Sequence, residues 1–167
     1  MTEQQDKQTY PLNVPAGMPG YVVRSVQERC NLALQEALSG TLPRCQDALL
    51  TQLRNEVDDM RRAYDGGLGS TCEWRQWGTR TVTRACEDAV QLAKFRDALA
   101  RPDVSHVTHG HPVNPRTYHV YRRDNSSPSG CALVASAGHD LPGVETVLMG
   151  RSTEAGALRG NFREVSR

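Results

Sequence analysis

The sequence predicts an α+β protein, in which an N-terminal helical half packs on a small C-terminal antiparallel β-meander. Apolar residues before Pro102 recur at three- and four-residue steps, the period of amphipathic helices. After Pro102 the period changes to two, between clusters of turn-forming residues, which is typical of strands. With 167 residues, 38% of them hydrophobic, the chain is long enough to fold around one core without a metal ion or a disulfide.

The first 20 residues are predicted to form a flexible or extended arm. They are rich in Gln, Pro and Gly, and they show no periodicity. The rest of the chain, residues 21–167, is predicted to be one α+β domain. It consists of a helical part 21–100, a loop 101–116, a β part 117–150 and a tail 151–167. The polar tail leaves open a fourth edge strand, a short helix or disorder.

Three main helices are predicted in the helical part. An apolar stripe over residues 21–39 ends at Gly40, and a second stripe covers residues 45–64. Because only a few residues join these two helices, they are expected to form an antiparallel hairpin. The third helix covers residues 79–100 and is closed by Pro102.

Three strands are predicted in the β part. Residues 117–123 alternate in the manner of a strand, and the turn-forming cluster 124–130 separates them from an apolar run at 131–137. A Leu-Pro-Gly turn at 141–143 then precedes a third strand at 144–149. Short connections between consecutive strands are typical of an antiparallel meander.

The charge balance favours a protein partner over nucleic acid. The chain carries 20 basic and 19 acidic side chains, for a formal net charge of +1. The balance is −1 in residues 1–20, 0 in residues 21–100 (11 basic, 11 acidic) and +2 in the remainder (8 basic, 6 acidic). No segment therefore has the basic excess of a typical nucleic-acid binder. Arg outnumbers Lys 18 to 2, which indicates a GC-rich genome and thus a bacterial or phage source.

Other features indicate the compartment. No apolar run reaches the roughly 18 residues of a membrane span, and the first residues lack the pattern of a signal peptide. We therefore expect no membrane insertion, and a cytoplasmic location or export without a cleaved signal peptide. The cysteines are odd in number, irregularly spaced and expected to be reduced and mostly buried: Cys30, Cys45, Cys72, Cys86 and Cys131.

A histidine-rich segment is the candidate metal site. His106, His109 and His111 fall within six residues, and imidazole is a common zinc ligand. Their spacing differs from the zincin and zinc-finger signatures, and Asp103 is the one carboxylate close in sequence. We therefore expect a solvated loop and no cofactor. The alternative is that these three histidines bind a zinc ion.

Cys131 is the candidate nucleophile, with His139 or His119 as its base. A nearby imidazole is sufficient to convert a cysteine to the reactive thiolate. The flanking residues match no known catalytic signature, and a cysteine that begins an apolar strand also suits the core.

The candidate partner-binding segment combines aromatic and basic residues: Trp74, Arg75, Trp77, Arg80 and Arg84. Trp and Arg are enriched at the energetic centres of protein interfaces. The same residue types suit stacked bases, and the tryptophans also suit the end of a helical bundle.

These observations predict a small regulatory or effector-type protein that binds another protein. The amphipathic hairpin offers a face for homo-oligomer formation. The chain contains no glycine-rich phosphate loop, dinucleotide fingerprint, hydrolase elbow or kinase signature. The alternative is an enzyme, a hydrolase or transferase that uses the histidine-rich segment and the Cys131/His139 region, with or without a metal ion.

Overall fold

The computed structural model describes residues 9–40, 46–64, 72–110, 116–155 and 162–164. The elements follow in this order: α1 (Gly20–Ser39), α2 (Gln46–Tyr64), α3 (Cys72–Leu99), β1 (Val104–His109), β2 (Thr117–Arg123), β3 (Cys131–Gly138), α4 (Val144–Ala155) and β4 (Phe162–Glu164). The predicted α+β class is confirmed, because three main helices precede a sheet in which β1, β2 and β3 are antiparallel. The chain forms two compact units, Met1–Val90 and Gln91–Arg167, and α3 contributes to both.

The first unit is built from α1, α2 and the first part of α3. The apolar stripe predicted for α1 is buried: Val22, Val26, Cys30, Ala33, Leu34 and Ala37. The helix ends at Gly40, whose φ of 85° lies in the left-handed region that favours glycine. Polar groups also join α1 to α2, since Ser25 donates a hydrogen bond of 3.0 Å to Glu56 and Arg29 pairs with the same carboxylate.

Gly78 lies where α3 meets both other helices of this unit. A Cβ atom at this position would lie 3.3 Å from Leu53 Cδ2 of α2 and 3.3 Å from Val26 Cγ2 of α1. Such distances are shorter than ordinary van der Waals contacts between carbon atoms. The missing side chain therefore permits the close approach of three helices.

The segment before α1 lies against α1 and α3. Tyr10 is only 6% exposed, and its hydroxyl donates a hydrogen bond of 2.6 Å to Asp88 of α3. Its backbone N–H donates to Asn31, and its carbonyl accepts from Gln27, both at 2.8 Å and both on α1. The predicted arm is thus held by backbone and side-chain hydrogen bonds along its described part.

The second unit contains a sheet with the strand order β3-β2-β1-β4. β2 pairs antiparallel with both β1 and β3, and β4 pairs parallel with β1. Val107 and Val120 face each other across β1 and β2 and are fully buried. From the end of α3, the core of this unit receives Leu92, Phe95 and Leu99, which recur at helical spacing.

Three elements differ from the sequence prediction, and one of them is α3, which begins at Cys72 and thus seven residues before its predicted start at residue 79. Residues 104–109, predicted as part of a loop, form the inner strand β1, and residues 144–149, predicted as a strand, begin helix α4. Among the α4 side chains that the structure describes, residues 144–150, those of Val144 and Leu148 are buried, at a four-residue step. The short apolar run fits both periods, and only its surroundings select the helix. The first residues of the predicted tail, 151–155, are the end of helix α4, and the edge strand among the three alternatives is found at Phe162–Glu164.

None of the helices in the described ranges is long and apolar enough to cross a membrane.

Substitution of Gly78 tests the close approach of the three helices. We expect Gly78→Val to reduce the free energy of unfolding by about 1–3 kcal/mol more than Gly78→Ala, because its extra methyl groups overpack the contact. Urea denaturation followed by circular dichroism measures this difference. Thr79 is an exposed neighbour and serves as the control. The free energies of unfolding of Thr79→Val and Thr79→Ala should differ only through helix propensity, by about 0.5 kcal/mol. Equal differences at the two positions would contradict the close packing at Gly78.

Substitution of Tyr10 tests the docking of the N-terminal segment. We expect Tyr10→Phe to cost about 1–2 kcal/mol at neutral pH, because Asp88 loses its hydrogen-bond donor. Burial and then Asp88 raise the pKa of Tyr10 above its ordinary value. The folded state therefore retains this proton at a pH where the unfolded chain has lost it, so the contribution to stability is lost as pH rises above about 10.

Urea midpoints measured from about pH 8 to pH 11 should therefore decline less steeply in Tyr10→Phe than in the unmodified protein. The buried thiol of Cys30, whose pKa is also raised by burial, contributes to the alkaline decline of both proteins. An identical decline would contradict the buried position of Tyr10.

Candidate functional site

The predicted partner-binding segment lies on α3, and its residues separate into two groups. Trp77 is 7% exposed, and its indole N–H donates a hydrogen bond of 3.0 Å to the carbonyl of Asn13. It therefore holds the N-terminal segment in place and is not part of the surface. Arg75, Arg80 and Arg84 are exposed, and we call these three residues the arginine face. The side chain of Trp74 lies outside the described residues.

An interhelical cleft of about 220 Å³ opens beside Arg75, between α1, α2 and α3. Apolar side chains from α1 and α2 line it: Val22, Val26, Leu50, Leu53 and Val57. Gly78 also lines the cleft. Because glycine has no side chain, this position leaves part of the cleft unfilled next to the contact of the three helices. The cleft is therefore a consequence of the same packing that brings the helices together.

Polar groups surround this apolar lining. Arg75 pairs with Asp58 through a single nitrogen, Nη2, at 2.9 and 3.1 Å from the two carboxylate oxygens. The other guanidinium nitrogens of Arg75 donate to no described residue, and its side chain is 51% exposed. Arg54 and Thr79 complete the polar lining. The cleft thus offers an apolar interior and a cationic border.

The surface continues from the cleft along α3. A shallow groove of about 400 Å³ is lined by Arg75, Gln76, Thr79 and Arg80, two of which also line the cleft. Arg80 donates from Nε to the carbonyl of Gln76 at 3.3 Å, which leaves its two terminal nitrogens directed elsewhere. Arg84 follows Arg80 by four residues and is on the same side of the helix. Like charges at this spacing repel, so an anion bound there relieves the repulsion.

The two candidate metal ligands that the structure describes, His106 and His109, are not brought together. His106 stacks on Tyr121 with a centroid distance of 4.8 Å, and His109 stacks on Tyr118 at 4.3 Å. Residues three apart on a strand point to opposite faces of the sheet, so these two imidazoles cannot share an ion. His111 lies outside the described residues. In the described part of the chain, no group of three or more His, Cys, Asp or Glu side chains has the geometry to hold a metal ion.

The candidate catalytic residues are also separated. Cys131 begins β3, and His139 directly follows that strand, so the two lie roughly 26 Å apart along an extended backbone. His139 instead lies against the carbonyl of Arg116, with Nδ1 at 3.2 Å. His119 pairs with Ser136, whereas Cys131 pairs with Arg123 four residues further along β2, which is a separation of roughly 13 Å. Neither histidine is placed to activate Cys131.

Contacts of the N-terminal segment were not predicted from the sequence. Asn13 and Tyr10 lie in a stretch without periodicity, so no local pattern indicates their partners on α1 and α3. A single aromatic residue within a polar, Pro-rich arm is the one available signal, because such a side chain usually finds an apolar surface. The two cross-strand His–Tyr pairs could not be predicted either, because they depend on the register of β1 against β2.

The thiols should differ in reactivity. Cys30 is fully buried, and this burial, followed by Cys86 and Asp88, raises the pKa of its thiol to about 12. Because the thiolate is the reactive form, we expect iodoacetamide to label the partly exposed Cys131 at least about 100-fold faster than Cys30. Peptide mapping by mass spectrometry measures both rates. In urea the two rates should become similar, whereas similar rates in the folded protein would contradict the burial of Cys30.

Comparison of this chain with models of protein families, with curated proteins and with solved structures gave no match. Its function is therefore inferred from its own geometry. Among the surfaces of the first unit, the interhelical cleft together with the arginine face combines an apolar interior with exposed guanidinium groups.

Proposed function

We propose that the protein is a small regulatory or effector-type protein that binds another protein through the arginine face and the interhelical cleft. One observation carries this proposal: an apolar cleft lies directly beside exposed guanidinium groups on the same helix. Energetic centres of protein interfaces have this character, with an anchor side chain in a pocket and arginine around it.

The dimensions of the cleft favour a protein side chain as its occupant. Its volume of about 220 Å³ is smaller than the range of roughly 300–1,000 Å³ that is typical of small-molecule sites. Its interior consists of valine and leucine side chains, which suit an aliphatic or aromatic anchor. An apolar anchor flanked by carboxylates therefore matches the cleft and its border.

Nucleic acid fits this surface less well. Binding of single strands depends on exposed aromatic side chains on which bases stack. Trp77 is buried and donates its indole N–H to Asn13, so it offers no such platform. The chain as a whole also carries a net charge of only +1. Both facts support an acidic protein surface over a nucleic acid as the partner.

The enzyme alternative receives no support from the described geometry, because Cys131 is distant from both histidines. Three described cysteines, Cys30, Cys86 and Cys131, are free thiols, which supports a reducing compartment such as the cytoplasm. The excess of Arg over Lys supports a bacterial or phage source. Self-association through the amphipathic helices remains part of the proposal, and light scattering coupled to size exclusion measures it.

Charge reversal on the arginine face tests the proposal. We expect Arg80→Glu combined with Arg84→Glu to reduce capture of the partner by at least about tenfold, because reversed charges repel the acidic groups that these arginines attract. Quantitative mass spectrometry after cross-linking in cells measures the capture. The matched control is Arg24→Glu combined with Arg62→Glu, which makes the same change of charge on exposed residues of α1 and α2.

The proposal is supported if one particular protein is captured by the control variant but no longer by the variant with Arg80→Glu and Arg84→Glu. Equal capture by both variants would refute it. So would a salt-dependent shift of short single-stranded DNA that disappears in the first variant, since the partner would then be a nucleic acid.

A further inference from the structure

The second unit exposes an edge strand. Within the described residues, β3 is the last strand of the sheet on its side, with β2 as its neighbour. Its sequence, CALVASAG, contains no charged residue and no proline over eight residues. Edge strands are usually protected by such residues, because their outer backbone N–H and C=O groups otherwise pair with another chain. A shift of register at Val134 interrupts the pairing with β2, and residues 135–138 continue it regularly.

An open groove of about 590 Å³ runs along this edge, between β3 and the end of α3. Helix and strand both contribute to its lining: Gln91, Lys94, Phe95, Asp97, Ala98, Arg101, Val134, Ala135 and Ser136. Most of its surface is apolar, and the strand contributes small side chains to it, whereas Phe95 and Ala98 of the helix line the groove but are themselves almost fully buried. Small side chains at the edge leave space for the side chains of an added strand.

The charges of the groove favour an anionic occupant. Asp97 is paired with Arg96 at 3.1 Å, and Arg101 is paired with Asp103 through two hydrogen bonds of 2.9 and 3.0 Å. The Arg101 guanidinium also holds the pKa of Asp103 below its ordinary value. Among the charged residues of the lining, Lys94 alone has no ionic partner within the described part of the chain. Its exposed ammonium group is therefore complementary to a carboxylate.

We propose that this groove binds an extended, acidic segment of a protein partner, which adds to the sheet as a strand beside β3. The segment's backbone pairs with the outer edge of β3, and alternate apolar side chains enter the groove over Phe95 and Ala98. One carboxylate of the segment pairs with Lys94. This mode of recognition combines main-chain hydrogen bonds for affinity with side-chain contacts for specificity.

This surface is independent of the arginine face. Its residues all belong to the second unit, whereas the arginine face and the interhelical cleft belong to the first. Substitutions that test one surface therefore leave the other unchanged, and the failure of either proposal does not affect the other.

Three synthetic peptides of alternating Val and Thr serve as probes, each labelled with fluorescein and used at low micromolar concentration. The first carries a central Glu, the second carries Lys in its place, and the third is the Glu peptide with N-methyl groups on alternate residues. Fluorescence anisotropy with the full chain measures their binding. We expect the Glu peptide to bind at least about fivefold more tightly than the Lys peptide, as for one exposed ion pair.

Lys94→Glu should reverse this preference, whereas Arg24→Glu, an exposed charge change on α1, should not alter it. The N-methylated peptide should lose binding by at least about tenfold, because it lacks the donors for strand pairing. Hydrogen exchange should become slower at residues 131–138 when the Glu peptide is bound.

The proposal is wrong if none of the peptides binds, if the Glu and Lys peptides bind equally, or if N-methylation has no effect. It is also wrong if the chain alone forms dimers in which exchange at residues 131–138 is already slow. In that case a second copy of this chain occupies the edge.

Discussion

The close approach of three helices at Gly78 is the contact on which the first unit depends. Leu53 and Val26 lie where a Cβ atom at this position would be only 3.3 Å from each of them, so the absence of a side chain permits their approach to α3. The same absence leaves the interhelical cleft open beside the contact. One position therefore determines both how the helices pack and where an apolar cavity reaches the surface, and the arginine face acquires its neighbouring apolar site from this packing.

The N-terminal segment packs against the helices of this unit and is hydrogen-bonded to α1 and α3. Tyr10 and Trp77 are both amphipathic: each buries an aromatic ring and directs its polar group to a hydrogen-bond partner. Their partners lie on different segments, so the segment before α1 is joined to α3 at two points. A tryptophan that is prominent in the sequence thus has a structural role, while the neighbouring arginines remain at the surface.

Sequence periodicity predicted the exposed arginines of α3 better than it predicted the histidine and cysteine sites. Helical spacing groups Arg80 with Arg84, which are four residues apart on one side of α3. Arg75 lies about 140° around the helix axis from Arg80, and the structure joins these two residues through the groove that both of them line. The histidine and cysteine hypotheses required residues from different positions to converge. His106 and His109 instead lie on opposite faces of β1, and Cys131 and His139 lie at opposite ends of β3. Nearness in sequence is poor evidence for a site in a strand, because an extended backbone separates residues rapidly.

The sequence alone determined the three main helices, the antiparallel strands β2 and β3 and the glycine that ends α1, because these depend on local period and local backbone freedom. Tertiary structure decided the rest. The segment VSHVTH contains two apolar residues and forms an inner strand, whereas VETVLM contains four and begins a helix, although neither segment is long enough for its period to decide between the two structures. Strand β1 exists because β2 offers it a hydrogen-bonded partner, and α4 exists because a turn places Val144 and Leu148 against the core. Such partners are distant in sequence, so no local pattern specifies them.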